Sequence, residues 1–521
     1  MNVGFVNIYP SRPHGFHAAF LEKQCRALGY STHFLECGGS FNGCYSRLNR
    51  PGGMLRCISC RVGRASTYGN SEVHEISSNL PAEILNEDEI NKGLISSAVT
   101  LHREEIESDY FNNKKLTDSI SRMRLNYLRA YYSTLDLIDK KQLKSLVVFN
   151  GRIDMTRAAI EAAKHANINF ITHERTFMGH GIQMHVNENV LGLRDRTALN
   201  AKFDQEYLTC YQARLAGAEI AKRFLGTNFL EWRVYNVGSR TLPRWPTNTT
   251  REKILIIPSS RSETGSHEDW ETPWDLSIDG LDLLLKAVGA NKDQVVVRFH
   301  PNWIQKVGNS IGRSSHKLYK KWCETNGYHY IDSHESVSTM GLIANCDVAI
   351  LNGGSAAIEA GALGKKVICL GPSVYRGTGF CRSLETMESI DGFSGLDDWI
   401  SEEQIIRGTL RYVYTALARV PQYFDYVRAI TTTDHIAIEG ADPSRLENMI
   451  KTGAVVADDA SVGSAQDEKE VINLISDRSW ERLIELAPEF NSENRIQQHI
   501  TKRSPYNLID KARSHLKPGH D

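Results

Sequence analysis

The sequence predicts an α/β protein in which two Rossmann-like, doubly wound domains face each other across a cleft. Three observations carry this expectation. The chain has 521 residues, more than a single hydrophobic core normally serves. Short apolar runs alternate with helix-length amphipathic stretches, the pattern of β-α-β units whose parallel sheet is covered on both faces. A polar, proline-containing stretch near the middle interrupts that alternation, which then starts again.

The first series opens with Val3 to Tyr9 as a strand, Phe16 to Leu28 as a helix and Thr32 to Leu35 as a strand. Residues from about 38 to 130 break the pattern and read as an insertion. It is polar and rich in Cys, Gly and Arg at first, then helical from about Asn113 to Lys140. LKSLVVFNGR resumes as a strand, Ile153 to His165 is a helix, INFITHER is a strand, and Phe203 to Leu225 closes a first domain at 1–240. RTLPRWPTNTTRE is the expected linker. The second domain, 250–425, follows with KILIIPSS, QVVVRFHP, YHYID, DVAILNGG and KKVICLG as strands. The intervening helices are Ser277 to Val288, His316 to Asn326, Val337 to Asn345 and Ser355 to Leu363. Residues 426–521 read as a mainly helical extension, broken by an exposed acidic linker at AVVADDASVGSAQDE.

Composition narrows the function. Lys+Arg is 61 against Asp+Glu 62, a net charge of -1, so no global field draws the protein to nucleic acid or to an anionic membrane. No window approaches the roughly 20 apolar residues of a membrane span, and MNVGFVNIYPSRPHGF lacks a charged n-region before an apolar h-region. The expected compartment is the cytoplasm, with at most peripheral contact at the inner face of the membrane. Cys37, Cys44, Cys57 and Cys60 fall in the insertion as C-x6-C-x12-C-x2-C. Four thiolates with one CxxC pair suit a structural tetrahedral zinc or an iron–sulfur cluster; the alternative is four unrelated thiols.

Ligands of doubly wound sheets bind beyond the carboxyl ends of the strands, so the loops after the strands hold the candidates. In DVAILNGGSAAIEAGALG, Gly353, Gly354 and Ser355 let the backbone approach a phosphate, and Glu359, one turn on, suits a ribose diol. The alternative is a tight turn before a solvated face. In QVVVRFHPN, Pro301 fixes the backbone after His300, holding an imidazole at the sheet edge for a phosphate or a base. In the first half, Asn150 and Arg152 end one strand and His173, Glu174 and Arg175 the next. Arg152 or Arg175 suits a bidentate clamp on an acidic sugar or a phosphate, and His173 or Glu174 an acid/base role. Salt bridging within the domain is the alternative. His180 in MGHGI, and Arg12, His14 and His17 in SRPHGFH, are weaker candidates.

The order PSSRSETGS, RFHPN, NGGSAAIEAGALGKKVICLG, GPSVYRGTGF resembles the second domain of GT-B glycosyltransferases, and more narrowly the bacterial capsule polysaccharide synthesis family that includes Kdo transferases. The resemblance covers about Lys253 to Phe380 and reaches the first half only through VVFNGR and ITHER. It implies a nucleotide-sugar donor such as CMP-Kdo or another CMP-linked acidic sugar, a glycan or lipid-linked glycan acceptor, and catalysis without a required cofactor. It also implies that His300, Ser355 and Tyr375 hold the nucleotide, Tyr375 falling in the Gly371, Pro372, Tyr375, Gly379 pattern. A catalytic carboxylate belongs in the loop after the first strand of this half. There Glu263 stands without the family's usual aspartate, and Asp269 competes for the role. UDP-sugar 2-epimerases resemble the same architecture and remain the alternative enzyme class; a non-catalytic nucleotide-binding scaffold is the third reading.

Overall fold

The computed structural model describes residues 1–39, 41, 43–49, 54–67, 72–80, 85–104, 112–231, 244–265, 267–307, 310–393, 395–488, 496–498 and 500. In the first half the elements are β1 (Asn2–Val6), α1 (His14–Ala27), β2 (Ser31–Glu36), α2 (Tyr45–Asn49), α3 (Met54–Thr67), β3 (Glu72–Glu75) and α4 (Glu87–His102). Next come α5 (Lys114–Lys141), β4 (Ser145–Phe149), α6 (Asp154–His165), β5 (Asn169–Arg175), β6 (Ile182–Val186), α7 (Arg194–Asp204) and α8 (Cys210–Leu225). The strands form one sheet in the order β3-β2-β1-β4-β5-β6, parallel except for β6. β1 is apolar on both faces because both are covered: Val3 and Phe5 pack with Phe20 and Leu21 of α1, and Val6 packs with the α4, α5 and α6 side. Gly4 is needed there, since a Cβ would come within 2.5 Å of Leu146 and 2.6 Å of Leu143.

The second half contains β7 (Ile254–Ile257), α9 (Ser277–Ala287), β8 (Val295–Arg298), the small hairpin β9 (Lys306–Val307) and β10 (Ser310–Ile311), α10 (Arg313–Asn326) and β11 (His329–Ile331). It continues with α11 (Thr339–Asn345), β12 (Val348–Leu351), α12 (Ala356–Ala362), β13 (Lys366–Leu370), β14 (Cys381–Leu384), α13 (Met387–Asp391) and α14 (Glu402–Tyr414). Its sheet, β11-β8-β7-β12-β13-β14, is parallel throughout. The fold is therefore two Rossmann-like sheets with helices on their faces.

The chain then returns to the first half. β15 (Val427–Ala429) and β16 (His435–Ile438) place Val427 and Ala437 in the core that holds Val3 and Phe5, joined by Leu446, Met449 and Ile450 of α15 (Ser444–Thr452). α16 (Ala465–Ser476) and α17 (Trp480–Glu485) pack on α8, and β17 (Gln497–Gln498) pairs with β16. Val471 and Leu483 share one core with Ala216 and Ile220 of α8 and Leu410 of α14, so the two halves are stitched by a common apolar layer.

Four details differ from the sequence reading. The segment 38–130 contains β3, which extends the first sheet, and α4 and α5, which pack on α6; Ile90, Leu94 and Met123 are fully buried with Ala158 and Ala159. The closing helix is two helices, because Thr209 caps α8 through a reciprocal pair with Gln212. The tail is mixed, with a three-stranded antiparallel sheet among its helices. AVVADDASVGSAQDE is pinned rather than an exposed linker, since Asp458 accepts from the Tyr423 and Phe424 amides, Asp459 from Gln212, and fully buried Glu468 pairs with Arg407 and Arg411. Of the expected inter-domain linker RTLPRWPTNTTRE, residues 240–243 lie outside the described residues, and 244–252 form no helix or strand.

Candidate active site

The carboxyl ends of β7, β8 and β12 open onto a solvent-accessible cleft. His300, Pro301, Gly354, Ser355 and Glu359 line it together. The first half completes its wall with Arg223 of α8 and with Asn228 and Glu231 just beyond. Ser259 and Asn352 clamp the two central strand ends to each other: the Ser259 amide donates to Asn352 Oδ1 at 2.6 Å, and Asn352 Nδ2 returns a bond to the Ser259 carbonyl at 3.0 Å. Gly353 has φ +93, a left-handed turn that other residues adopt only under strain. Ser355 is exposed at the start of α12 and its side chain makes no cap bond. The His300 Nδ1 atom accepts the Asn302 amide at 3.1 Å, which leaves the proton of the neutral ring on Nε2. Tyr375 does not line the cleft. It is buried, and its hydroxyl donates to the Gly354 carbonyl at 3.0 Å, supporting the glycine turn from below.

Glu359 is held by Arg223 at 2.9 Å, and the same guanidinium binds Glu231 at 2.6 Å. Burial alone would lower Arg223, but the two carboxylates hold it above its ordinary value, while burial raises Glu231. The second Glu359 oxygen, Oε2, is buried with no hydrogen-bond partner among the described residues and can accept from a ligand hydroxyl.

A second polar cluster forms where β1, β4 and β5 end. Glu174 accepts from Asn150 Nδ2 at 3.0 Å and from the Arg175 amide at 2.9 Å, and His14 Nδ1 stands 3.1 Å from its Oε1. His17 meets His435 at 3.1 Å between ring nitrogens, and its ring centroid is 6.1 Å from that of His173. Burial pushes His14 and His173 down to about 3 and His435 to about 4, and drives His17 well down. Burial likewise raises Glu174. These imidazoles are therefore neutral near pH 7. Arg175 donates to the Leu230 carbonyl at 2.9 Å, beside Glu231 of the cleft wall, so the two clusters share one short connecting segment.

The structure does not bring Glu263 or Asp269 into the cleft lining. Glu263 is exposed; Arg152 donates to its backbone carbonyl at 2.9 Å and to Thr100 at 2.8 Å, joining the two halves instead of clamping a ligand. Asp269 accepts the Leu193 amide at 2.8 Å, a second bridge. His180 accepts the Ala429 amide at 3.1 Å, and Arg12 pairs with Asp434 at 2.7 Å. Cys37, Cys44, Cys57 and Cys60 line one separate cavity beyond β1. Sequence reasoning missed Arg223, Glu231, Asn352 and His435. For Arg223 a signal existed: it follows Ala216 and Ile220 at helical spacing, on the face of α8 that is otherwise apolar.

No family model and no curated protein matches the chain. Among solved structures, the chain is similar to the KpsC beta Kdo 2,4 transferase of Thermosulfurimonas dismutans, with 17% identity over 64% of this chain and 87% of that one and a TM-score of 0.31. It is similar to the UDP-GlcNAc 2-epimerase of Neisseria meningitidis, with 12% identity over 80% and 97% and a TM-score of 0.27. It is also similar to the spinosyn rhamnosyltransferase SpnG, with 12% identity over 92% and 100% and a TM-score of 0.24. With all three scores below 0.5, the functional reading rests on the site itself. Chemically, the cleft offers donors for an anion, an acceptor for a diol and, across the Leu230–Glu231 segment, a buried carboxyl group among neutral imidazoles.

Proposed function

We propose that the protein is a glycosyltransferase that moves a sugar from a nucleotide donor to a glycan acceptor. The observation that carries this reading is the convergence of His300, Ser355 and Glu359 on one cleft whose far wall comes from the other half of the chain. In this reading the nucleotide phosphate lies against His300 and Ser355, and the ribose hydroxyls against Glu359 Oε2. The acceptor enters beside His14 and Glu174. Glu174, whose carboxyl group burial raises, takes the proton of the attacking hydroxyl as the glycosidic bond forms and the bond from the sugar to the nucleotide phosphate breaks, the nucleotide leaving. The finer proposal is a CMP-linked acidic sugar, with CMP-Kdo as the type, and a lipid-linked glycan of a capsule or other surface polysaccharide. The motif order carries the donor class, and Arg175 supplies a cation near the acceptor side. Among the described residues no helix is long and apolar enough to cross a membrane. The exposed Met54, Leu55 and Ile58 on α3 support peripheral contact with a membrane that carries the acceptor.

If transfer proceeds by double displacement with retention, Glu263 is the carboxylate we assign as nucleophile from its place in the loop after β7, next to the cleft lining but not part of it, whereas Asp269 is engaged at Leu193. The test is release of nucleotide, and formation of glycan product, from CMP-Kdo and a panel of UDP-sugars. Glu263→Gln is expected to keep nucleotide affinity and to lose transfer by orders of magnitude. If Asp269→Asn collapses transfer and Glu263→Gln does not, the nucleophile moves to Asp269. Interconversion of a UDP-sugar at C2 without any acceptor would overturn the transferase reading in favour of an epimerase.

A further inference from the structure

Four of the ten cysteines meet at one place outside the candidate active site. Cys37 follows β2, Cys44 precedes α2, and Cys57 and Cys60 lie one turn apart on α3; together with Ile8, Phe41 and Met155 they line one small cavity. All four are free thiols. A merely buried cysteine fills a gap in an apolar core, whereas these four surround a gap.

Three of the four sulfurs already face a donor. The Gly39 amide points at Cys37 Sγ at 3.4 Å, the Arg47 amide at the Cys44 sulfur, and the Ser46 hydroxyl at that of Cys60. N–H and O–H groups aimed at sulfur stabilise thiolate ligands and set the potential of a cluster. Arg47 and Arg56 also line the cavity and can offset negative charge gathered there.

Spacing selects the occupant. A tetrahedral zinc with Zn–S bonds of about 2.3 Å needs its sulfurs about 3.8 Å apart. Among the described residues, the group of metal-ligating atoms all within 4.8 Å of one another is His33, Glu72 and His74, so no three of these cysteines approach that closely. Glu72 of that other group is already taken by Lys141 at 2.6 Å. Thiolates separated by a cavity fit an occupant that carries several metal atoms and its own bridging sulfide.

We infer that Cys37, Cys44, Cys57 and Cys60 bind a four-iron, four-sulfide cluster that clips α2 and α3 onto the end of β1. On assembly four Sγ–Fe bonds form and four S–H bonds break, the protons passing to water; two ferrous ions, two ferric ions and four sulfides are the co-reactants, so no electron is gained or lost. The clip lies beside Tyr9, so it also braces the loop that leads to His14.

The full chain, purified without air and reconstituted with equal amounts of ferrous and ferric iron and with sulfide, is assayed for iron, acid-labile sulfide and visible absorbance. The expected result is about four iron and four sulfide per chain and a brown chromophore bleached by dithionite. Cys57→Ser with Cys60→Ser should lose the chromophore, while Cys210→Ser, outside the cavity, should keep it. A colourless, iron-free chain after reconstitution overturns the inference, as does one tightly held zinc per chain, or a chromophore retained in the double variant. Should the double variant fail to fold, Cys44→Ser and the wild-type iron and sulfide contents decide the matter alone.

Discussion

Arg223 serves two carboxylates on a side chain that is only 4% exposed, which makes it the most consequential single residue of the cleft. Arg223→Met would leave Glu231 and Glu359 buried beside each other without a cation, and a loss of about 3–5 kcal/mol is expected in denaturant titration. The half-exposed pair of Arg12 and Asp434 should cost no more than about 1 kcal/mol when broken. His173 is buried and neutral, its value pushed from 6.5 down to about 3. The unfolded chain therefore binds the extra proton between those values, and this residue's contribution to stability falls as pH drops through that window. Relative to wild type, His173→Gln should gain about 1.4 kcal/mol per pH unit of acidification inside it, read as the difference in thermal unfolding between pH 7 and pH 5. At this scale the sequence was informative where local backbone chemistry marks a site. Gly-Gly-Ser after an apolar run and His-Pro after another are visible in a line of text. Arg223 and Glu231 were not recognised, because their meaning depends on Glu359, more than a hundred positions away.

Among the elements, the turn from β12 into α12 does the most to shape the cleft. Gly353 takes φ +93, the Gly354 carbonyl receives the Tyr375 hydroxyl, and Ser355 emerges exposed. Gly353→Ala forces a side chain into that left-handed turn at a cost of about 1–3 kcal/mol. Because the strain falls next to Ser355, KM for the donor should rise more than kcat falls in a steady-state assay. The same scale shows why some elements were legible and others were not. Ile254–Ile257, Val295–Arg298 and Val348–Leu351 are nearly continuous apolar runs because both faces of their sheet are covered. β3 reads Glu-Val-His-Glu and is largely exposed at a sheet edge, so its pairing with β2 leaves almost no hydrophobic pattern. β15 and β16 are short, and their burial is supplied by a sheet formed from the other end of the chain.

At the scale of the molecule, the two halves are joined by Arg152 to the Glu263 carbonyl, Asp269 to the Leu193 amide, Arg175 to the Leu230 carbonyl and the apolar layer around α8, α14, α16 and α17. Several polar residues at strand ends, read from sequence as ligand groups, are engaged in holding the halves together. Strand-end position alone could not separate those two uses, since both place a polar side chain at the same sheet edge. The central claim is that the cleft of His300, Ser355 and Glu359 holds a nucleotide. Calorimetric titration of the full chain with CMP and UDP, repeated with His300→Ala and Ser355→Ala, tests it most directly. Neither side chain contributes to the apolar core, so folding should be unchanged. One nucleotide should bind per wild-type chain, and each variant should weaken it about tenfold, or about 1.4 kcal/mol. Undiminished affinity in both variants, or no binding of either nucleotide by the wild type, would contradict the account.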